Sequence, residues 1–376
     1  MLPNATQNRN TTGRLGFLDW TRGFAVLIIL QGHVFHSFSL NYLRNDGPYM
    51  ISQFFGGVAP AIFLLLTGIT LAFLMDKRQR ENLSPRHRWF AALRRSGYLF
   101  LIAFLFRIQL WVFGFPSSPT SELLRVDILN CMGFAIGLFS VLSFLTTAAR
   151  ARWAALIGVL IAALSPLVSM VDWSWLHPRI SAYFVPSYNA FAFFPWASFI
   201  AFGVSIGSVL RLTKPEHMNR LMQWVALAGF ALFFIGDYGS NFVYSLYPKQ
   251  EFWLNSPWMV AMKLGPILIL LTFAYLWNEY GKEHGSQGWS ALRQFGTTSL
   301  LVYWVHIELV YGRWFWFLKE NLTVAQCVLS AVVLIALMLA ISVARTRSRG
   351  KRLPSVTLPA ANKKGRPAGR PLSATT

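Results

Sequence analysis

Apolar residues in this 376-residue chain gather into long runs separated by short polar segments. Ten runs stand out, at about 17–38, 51–75, 92–113, 127–147, 153–171, 190–210, 221–239, 257–277, 295–316 and 324–344. Each holds roughly 20 residues, enough for a helix at ~1.5 Å per residue to cross a hydrocarbon layer ~30 Å thick. The pattern predicts an all-α fold, a polytopic transmembrane helix bundle of about ten spans filling residues 1–345. An even number of spans puts both termini on one side. Runs five and ten carry almost no polar residues and are expected to be peripheral, lipid-facing helices.

Charge orients the bundle. Lys and Arg number 34 against 14 Asp and Glu, a formal net charge of +20. Of those 34, 25 fall before the first run, after the tenth, or in the connections on the same side, with Asp76 to Arg95 taken as one loop. Positive residues are retained in the cytoplasm, so that side and both termini are expected there. Because membrane insertion accounts for the basic residues, no nucleic-acid partner is expected. Composition excludes a soluble globule, since 55% of residues are hydrophobic and 13% charged, against about a quarter charged in ordinary domains. The first 16 residues lack a basic segment joined to a short apolar core and a small-residue cleavage site, so the first run is expected to stay as a membrane helix. Residues 346–376 turn abruptly to Arg, Lys, Pro, Ala and Gly, which predicts a basic, disordered cytoplasmic tail. Two cysteines, Cys131 and Cys327, make no disulfide framework, and no Cys/His cluster has zinc spacing.

Candidate chemistry lies in the ionisable residues that a bilayer excludes unless they face a protein interior or a wet cavity. The first run carries Asp19, Arg22, His33 and His36. Arg22 and His33 are 11 residues apart, three helical turns within ~20°, so they share a face about 16 Å apart. Asp19 sits three residues before Arg22, where an ion pair alone would explain both. His33 reads as a hydrogen-bonded packing residue or as a catalytic imidazole. Asp127 and Asn130 start the fourth run, where an acid orients a histidine, binds a hydroxyl, or simply favours the helix dipole. In the ninth run His306 and Glu308 lie about 200° apart and are not expected to serve one site together; Glu308 is expected to turn toward Lys263 or Arg313. Arg107, near the end of the third run, is expected to snorkel. His33 and His36 have no third ligand nearby, so no metal is expected. Aromatic loops around Trp173, Trp175 and Trp253 read as interfacial anchors or as a mouth whose rings stack on sugars.

Leu18-Asp19-Trp20-Thr21-Arg22-Gly23, followed ten residues later by His33, resembles the first-helix signature of integral-membrane acyltransferases. Both acyltransferase family 3 and the heparan-α-glucosaminide N-acetyltransferase-like family share it. Three further stretches are similar to the second family: Ala59-Pro60-Ala61-Ile62-Phe63 through Gly68, Arg125-Val126-Asp127-Ile128-Leu129-Asn130 through Gly133, and Phe295-Gly296-Thr297-Thr298-Ser299-Leu300 through His306. Position 130 is Asn where Gln is common in that pattern. The resemblance covers runs one to nine in order.

What the resemblance implies is a membrane-bound acetyltransferase that moves an acetyl group from cytoplasmic acetyl-CoA to an amino or hydroxyl group of a sugar or glycan, with an essential histidine. His33 is then the expected catalytic residue, with Asp127 and Asn130 beside it. Arg22, Arg94 and Arg95 are the expected contacts for the anionic nucleotide of acetyl-CoA at the basic face. Helical spans imply a plasma (inner) membrane location. O-acylation of an envelope polysaccharide and small-solute transport remain the competing functions, and homo-oligomer formation stays open. A tunnel joining Arg22 to His33 would favour a transferase over a transporter.

The orientation is testable by cysteine labelling. A cysteine replacing Ser84, in the basic Asp76 to Arg95 loop, is expected to resist an impermeant thiol reagent added to intact cells and to react after permeabilisation; labelling in intact cells would invert the bundle.

Overall fold

The computed structural model describes residues 15–116, 118–188, 190–242, 247–283 and 289–352. Ten long helices occupy the ten apolar runs: α1 (Gly16–Phe38), α2 (Ala59–Arg80), α3 (Pro85–Gly114), α4 (Ile128–Phe139), α5 (Thr147–Val168), α6 (Phe193–Leu212), α7 (Met218–Ser240), α8 (Pro257–Glu283), α9 (Ala291–Tyr311) and α10 (Val324–Arg352). A short helix, Gly47–Gly56, precedes α2. Helices are the only extended regular elements among the described residues. Among the described residues, eight helical segments are long and apolar enough to cross a membrane. The long helices outside that set are α1 and α9, which carry the histidines.

Large apolar side chains stand exposed along the bundle, among them Leu101, Leu105 and Ile108 on α3 and Leu227, Phe230 and Phe234 on α7. Surface of this kind is stable against lipid rather than water. The most apolar windows of α3 and α7 are 11% and 17% buried, against 33% for α5 and 28% for α10. Helices α3 and α7 are therefore more peripheral than the two helices expected at the edge. Packing explains the difference for α5, which lies along α6 and buries Ala154, Ile161 and Ala162. The fourth run is not one uniform helix. It is 12 α-helical residues followed by a 3-10 turn over Ser140–Phe144. Fully buried Arg150 accounts for that end, donating to the carbonyls of Leu142 (3.2 Å) and Leu145 (3.1 Å) and to Gln79 Oε1 (3.2 Å). Helix α10 continues to Arg352, past the expected boundary at 345, and the rest of the expected tail lies outside the described residues.

Buried charge ties the basic end together. Asp76, 4% exposed, accepts from Arg211 Nε (2.7 Å), Arg80 Nε (2.8 Å) and Thr147 Oγ1 (3.1 Å), joining the ends of α2, α5 and α6. Arg80 and Arg211 count toward orientation in the sequence, and in the fold they also lock three helices through Asp76.

Helix α1 is common to both apolar cores. Phe17, Leu18, Trp20 and Ala25 pack with α2, α4, α6 and α8. Val26, Leu30, Val34, Phe35 and Phe38 pack with α9 and α10. Contact between α1 and α9 is set by glycine. A Cβ on Gly23 would collide with the Leu292 carbonyl, and one on Gly296 with the Asp19 carbonyl. In lipid, where burial of apolar area does not drive helices together, such small residues let backbones approach and gain dispersion. Farther along, Ser37 Oγ donates to the Val310 carbonyl at 2.9 Å. Gly23 with Gly296, and Ser37 with Val310, share one sequence offset, so α1 and α9 run parallel and in constant register.

Gly97, on the exposed side of α3, has nothing within 4 Å of an added Cβ. Gly97→Leu is therefore expected to leave the thermal midpoint in detergent nearly unchanged. Gly23→Leu and Gly296→Leu are each expected to lower it by several degrees or to abolish monodisperse protein in size-exclusion chromatography. Equal behaviour of all three would remove the glycine contact as the determinant of α1–α9 packing.

Candidate functional site

The register that pairs Gly23 with Gly296 carries ten residues further to His33 and His306. His33 Nδ1 stands 3.0 Å from His306 Nε2, and the rings stack with centroids 5.2 Å apart at 20°. Tyr311 sets its ring edge against His33 at 5.2 Å and shares a 3.1 Å hydrogen bond with His36 Nδ1. His306 is fully buried, and its own Nδ1 lies 2.7 Å from the Val302 carbonyl.

His33 lines the larger of two adjoining cavities. The larger, about 820 Å³, is lined by His33, His36, Arg107, Asp127, Glu308 and Tyr311, with Tyr188, Trp196 and Trp253 as aromatic walls. The smaller, about 460 Å³, is lined by Asp19, Arg22, Thr70, Arg95, Tyr98 and Ser299, toward the start of α1. Both include Ile29, Ile128 and Tyr303. On α1, positions 22, 29 and 33 fall on one helical stripe, while 23, 30, 34 and 37 face α9 and α10. One face of α1 therefore lines both cavities and the adjoining face makes the helix contact.

The expected site residues are distributed as follows. Arg22 binds Asp19 at 3.1 Å, and both line the smaller cavity. Arg95 joins them there, with its guanidinium 3.3 Å from Thr70 Oγ1. Arg94 is exposed and lies outside both linings. Asp127 lines the larger cavity and also caps α4, accepting from the backbone N–H groups of Leu129 (2.9 Å) and Asn130 (3.0 Å). Asn130 completes the capping box through its Oδ1, and its amide donates to the Tyr183 hydroxyl at 3.3 Å. It lines neither cavity.

Three placements differ from expectation. Arg107 does not snorkel: its side chain is 12% exposed and its Nε lies 3.4 Å from Asp127 Oδ2. A buried carboxylate in the membrane needs a cation within reach, and the α3–α4 packing supplies one. Glu308 turns toward neither Lys263 nor Arg313. It accepts from Trp314 Nε1 (3.2 Å) and Gln109 Nε2 (3.4 Å), while Lys263 sits over the rings of Trp196 and Trp253. His306 and Glu308 diverge around α9 as expected, yet both reach one site, because His306 meets it through His33 and Glu308 lines the cavity wall. The placement of His306 had a weak sequence signal: glycine followed by histidine ten residues later occurs at 23/33 and 296/306, and also at 207/217, away from the site.

Of the aromatic loops, Trp253 faces the larger cavity, whereas Trp173 and Trp175 stack on each other with centroids 6.0 Å apart and lie outside its lining. Tyr188, in the connection before α6, donates to Glu251 Oε2 at 3.0 Å. Slight desolvation of an otherwise exposed ring, together with that carboxylate, holds its phenol above the usual tyrosine range.

These features define a polytopic membrane protein with a buried histidine pair at the wall of the larger of two adjoining cavities. A family model described as "Heparan-alpha-glucosaminide N-acetyltransferase, catalytic" matches residues 14–248, more than half of the chain, and the chain belongs to that family of membrane acetyltransferases. The match takes in Arg22, His33, Arg107 and Asp127; α9 lies beyond it. No curated protein matches the sequence.

The Arg107–Asp127 pair is testable by a double-mutant cycle. Asp127→Asn keeps an N-cap and removes the charge, and Arg107→Met removes the partner. Each single change is expected to destabilise the protein in detergent, and the double change by less than their sum, with a coupling of about 1–3 kcal/mol. A coupling near zero would make the two residues independent.

Proposed function

We propose that the protein transfers an acetyl group from acetyl-CoA, held from the cytoplasmic side, to an amino or hydroxyl group of a sugar or glycan held from the other side of the plasma membrane. The observation that carries this is the meeting of two cavities at Ile29, Ile128 and Tyr303, with His33 lining one and Arg22 and Arg95 the other. In place of the one tunnel from Arg22 to His33 that would favour a transferase, two cavities adjoin through shared lining residues. Family membership supports the reaction, and the basic loops support the sidedness.

In this reaction the pyrophosphate and nucleotide of acetyl-CoA lie toward Arg22 and Arg95, where fixed cations meet phosphate charge. Arg94, being exposed, acts at most on the approach. The slender thioester arm reaches the shared residues. His33 serves as general base: it takes the proton of the acceptor N–H or O–H as that atom bonds to the acetyl carbonyl carbon. The C–S bond then breaks, and the proton passes from His33 to the departing thiolate. Asp127, held by Arg107, binds a hydroxyl or ammonium of the acceptor, with Trp253 and Tyr188 as stacking walls.

Replacing His33 by Ala would leave His306 Nε2 without its partner, confusing chemistry with folding. His33→Asn is the better variant, because the Asn amide stands near the place of Nδ1 and keeps a donor for His306 while removing Nε2. Purified His33→Asn protein, offered acetyl-CoA and a panel of amino sugars, is expected to release CoA about 10²–10⁴-fold more slowly than the parent. His36→Ala, at the cavity rim, is expected to cost less than about tenfold. Near-parental release by His33→Asn would remove His33 from the mechanism, and no acceptor-dependent release by the parent would remove the acetyltransferase assignment.

A further inference from the structure

The histidine pair contains a directional chain of hydrogen bonds. A backbone carbonyl only accepts, so the 2.7 Å contact between His306 Nδ1 and the Val302 oxygen requires the His306 proton to sit on Nδ1. Even one imidazolium in this buried pair would be a charge with no carboxylate against either ring nitrogen among the described residues, a costly state at this depth, so both rings are neutral. Nε2 of His306 is then a lone pair. The atom facing it at 3.0 Å, His33 Nδ1, must carry hydrogen. By elimination His33 has no proton on Nε2, and that nitrogen has no hydrogen-bond partner among the described residues.

We propose that His306 is the positioning residue for His33: the Val302 carbonyl orients His306, His306 fixes the tautomer of His33, and an unprotonated Nε2 is thereby reserved for the cavity that His33 lines. The logic is that of a base held by a third group, with an imidazole and a backbone carbonyl in place of the usual carboxylate. A carboxylate there would draw a full positive charge onto His33. A neutral accepting ring holds the orientation and leaves His33 uncharged between turnovers. The helix supplies the precision, because Val302 and His306 are one turn apart on α9, and the glycine contact fixes α9 against α1.

The role of His306 in turnover rests on the acetyltransferase reading, but the tautomer does not, which allows the two to be tested apart. Wild-type protein with ring-¹⁵N-labelled histidine in lipid bilayers is compared with His33→Asn to assign the His33 signals by solid-state NMR. The expected result is a proton on His33 Nδ1 and a bare Nε2. His306→Gln places an amide oxygen near the position of Nε2 and is expected to keep that tautomer and turnover within a few-fold. His306→Leu removes the acceptor and is expected to shift the proton toward Nε2. It is also expected to lower kcat by on the order of 10²-fold while the KM for acetyl-CoA changes less than about twofold. A wild-type spectrum with the proton on Nε2 overturns the proposal, as does a His306→Leu protein with unchanged spectrum and kcat. If His306→Leu does not fold, the wild-type and His306→Gln spectra decide. The expected spectra from a protein that transfers no acetyl group would sustain the positioning role and overturn the transferase reading alone.

Discussion

The close parallel contact of α1 and α9 is the constraint on which the rest depends. Gly23 and Gly296 let the two backbones touch where any other residue would hold them apart. From that point a helix advances ~15 Å in ten residues on each side, which brings His33 and His306 level. A shift of one residue in register would rotate one ring by about 100° away from the other. Ser37 and Val310 hold the same register beyond the histidines, and Leu322 N–H bonded to the Phe38 carbonyl at 2.8 Å brings the start of α10 to the end of α1. The pair is thus fixed from both ends. Histidine is tolerated at membrane depth because each ring supplies what the other lacks.

Charged residues in the bundle divide into two kinds. Asp76 with Arg80 and Arg211 closes the basic end of three helices, and Arg150 terminates α4 through carbonyls; neither group lines either of the two cavities described. Asp19 with Arg22, and Arg107 with Asp127, are paired but do line the cavities. Pairing settles each of these charges in the folded bundle, while the cavity leaves part of each group available to a ligand. Asp127 serves both purposes: one oxygen accepts the first N–H groups of α4 and the other faces Arg107.

Much of the helical architecture is legible in the sequence, because membrane-length apolar runs admit few structures. All ten runs became long helices, with α4 shortened. Periodicity along a single helix also carried over: Arg22 and His33 share a face of α1, and Asp19 pairs with Arg22. Contacts between helices far apart in sequence did not follow from periodicity. Arg107 is at the end of its run, where snorkelling is the ordinary outcome, and only the packing of α3 on α4 sets it against Asp127. Glu308 found Gln109 and Trp314 in place of a lysine or arginine because neutral donors were nearer. His306 was weighed against its neighbour Glu308, when its informative counterpart was His33, in a helix eight runs earlier.

In the proposed reaction the separation of the cavities bears on the access of water from the smaller cavity to the base. Ile29, Ile128 and Tyr303 lie between the polar linings, and two of the three offer no hydrogen bond from the side chain. Water crossing there would lose partners that hydrocarbon side chains cannot replace. In the proposed reaction a thioester reaching this point meets His33 across an apolar boundary rather than a wet channel, so the base acts on the acceptor in the larger cavity instead of on water from the smaller one. Tyr303 belongs to the boundary and to the histidine cluster at once, its ring edge 5.8 Å from His306. Tyr303, shared by both cavity linings, thus also packs against His306, proposed to position the base, and α9 carries both within a single turn.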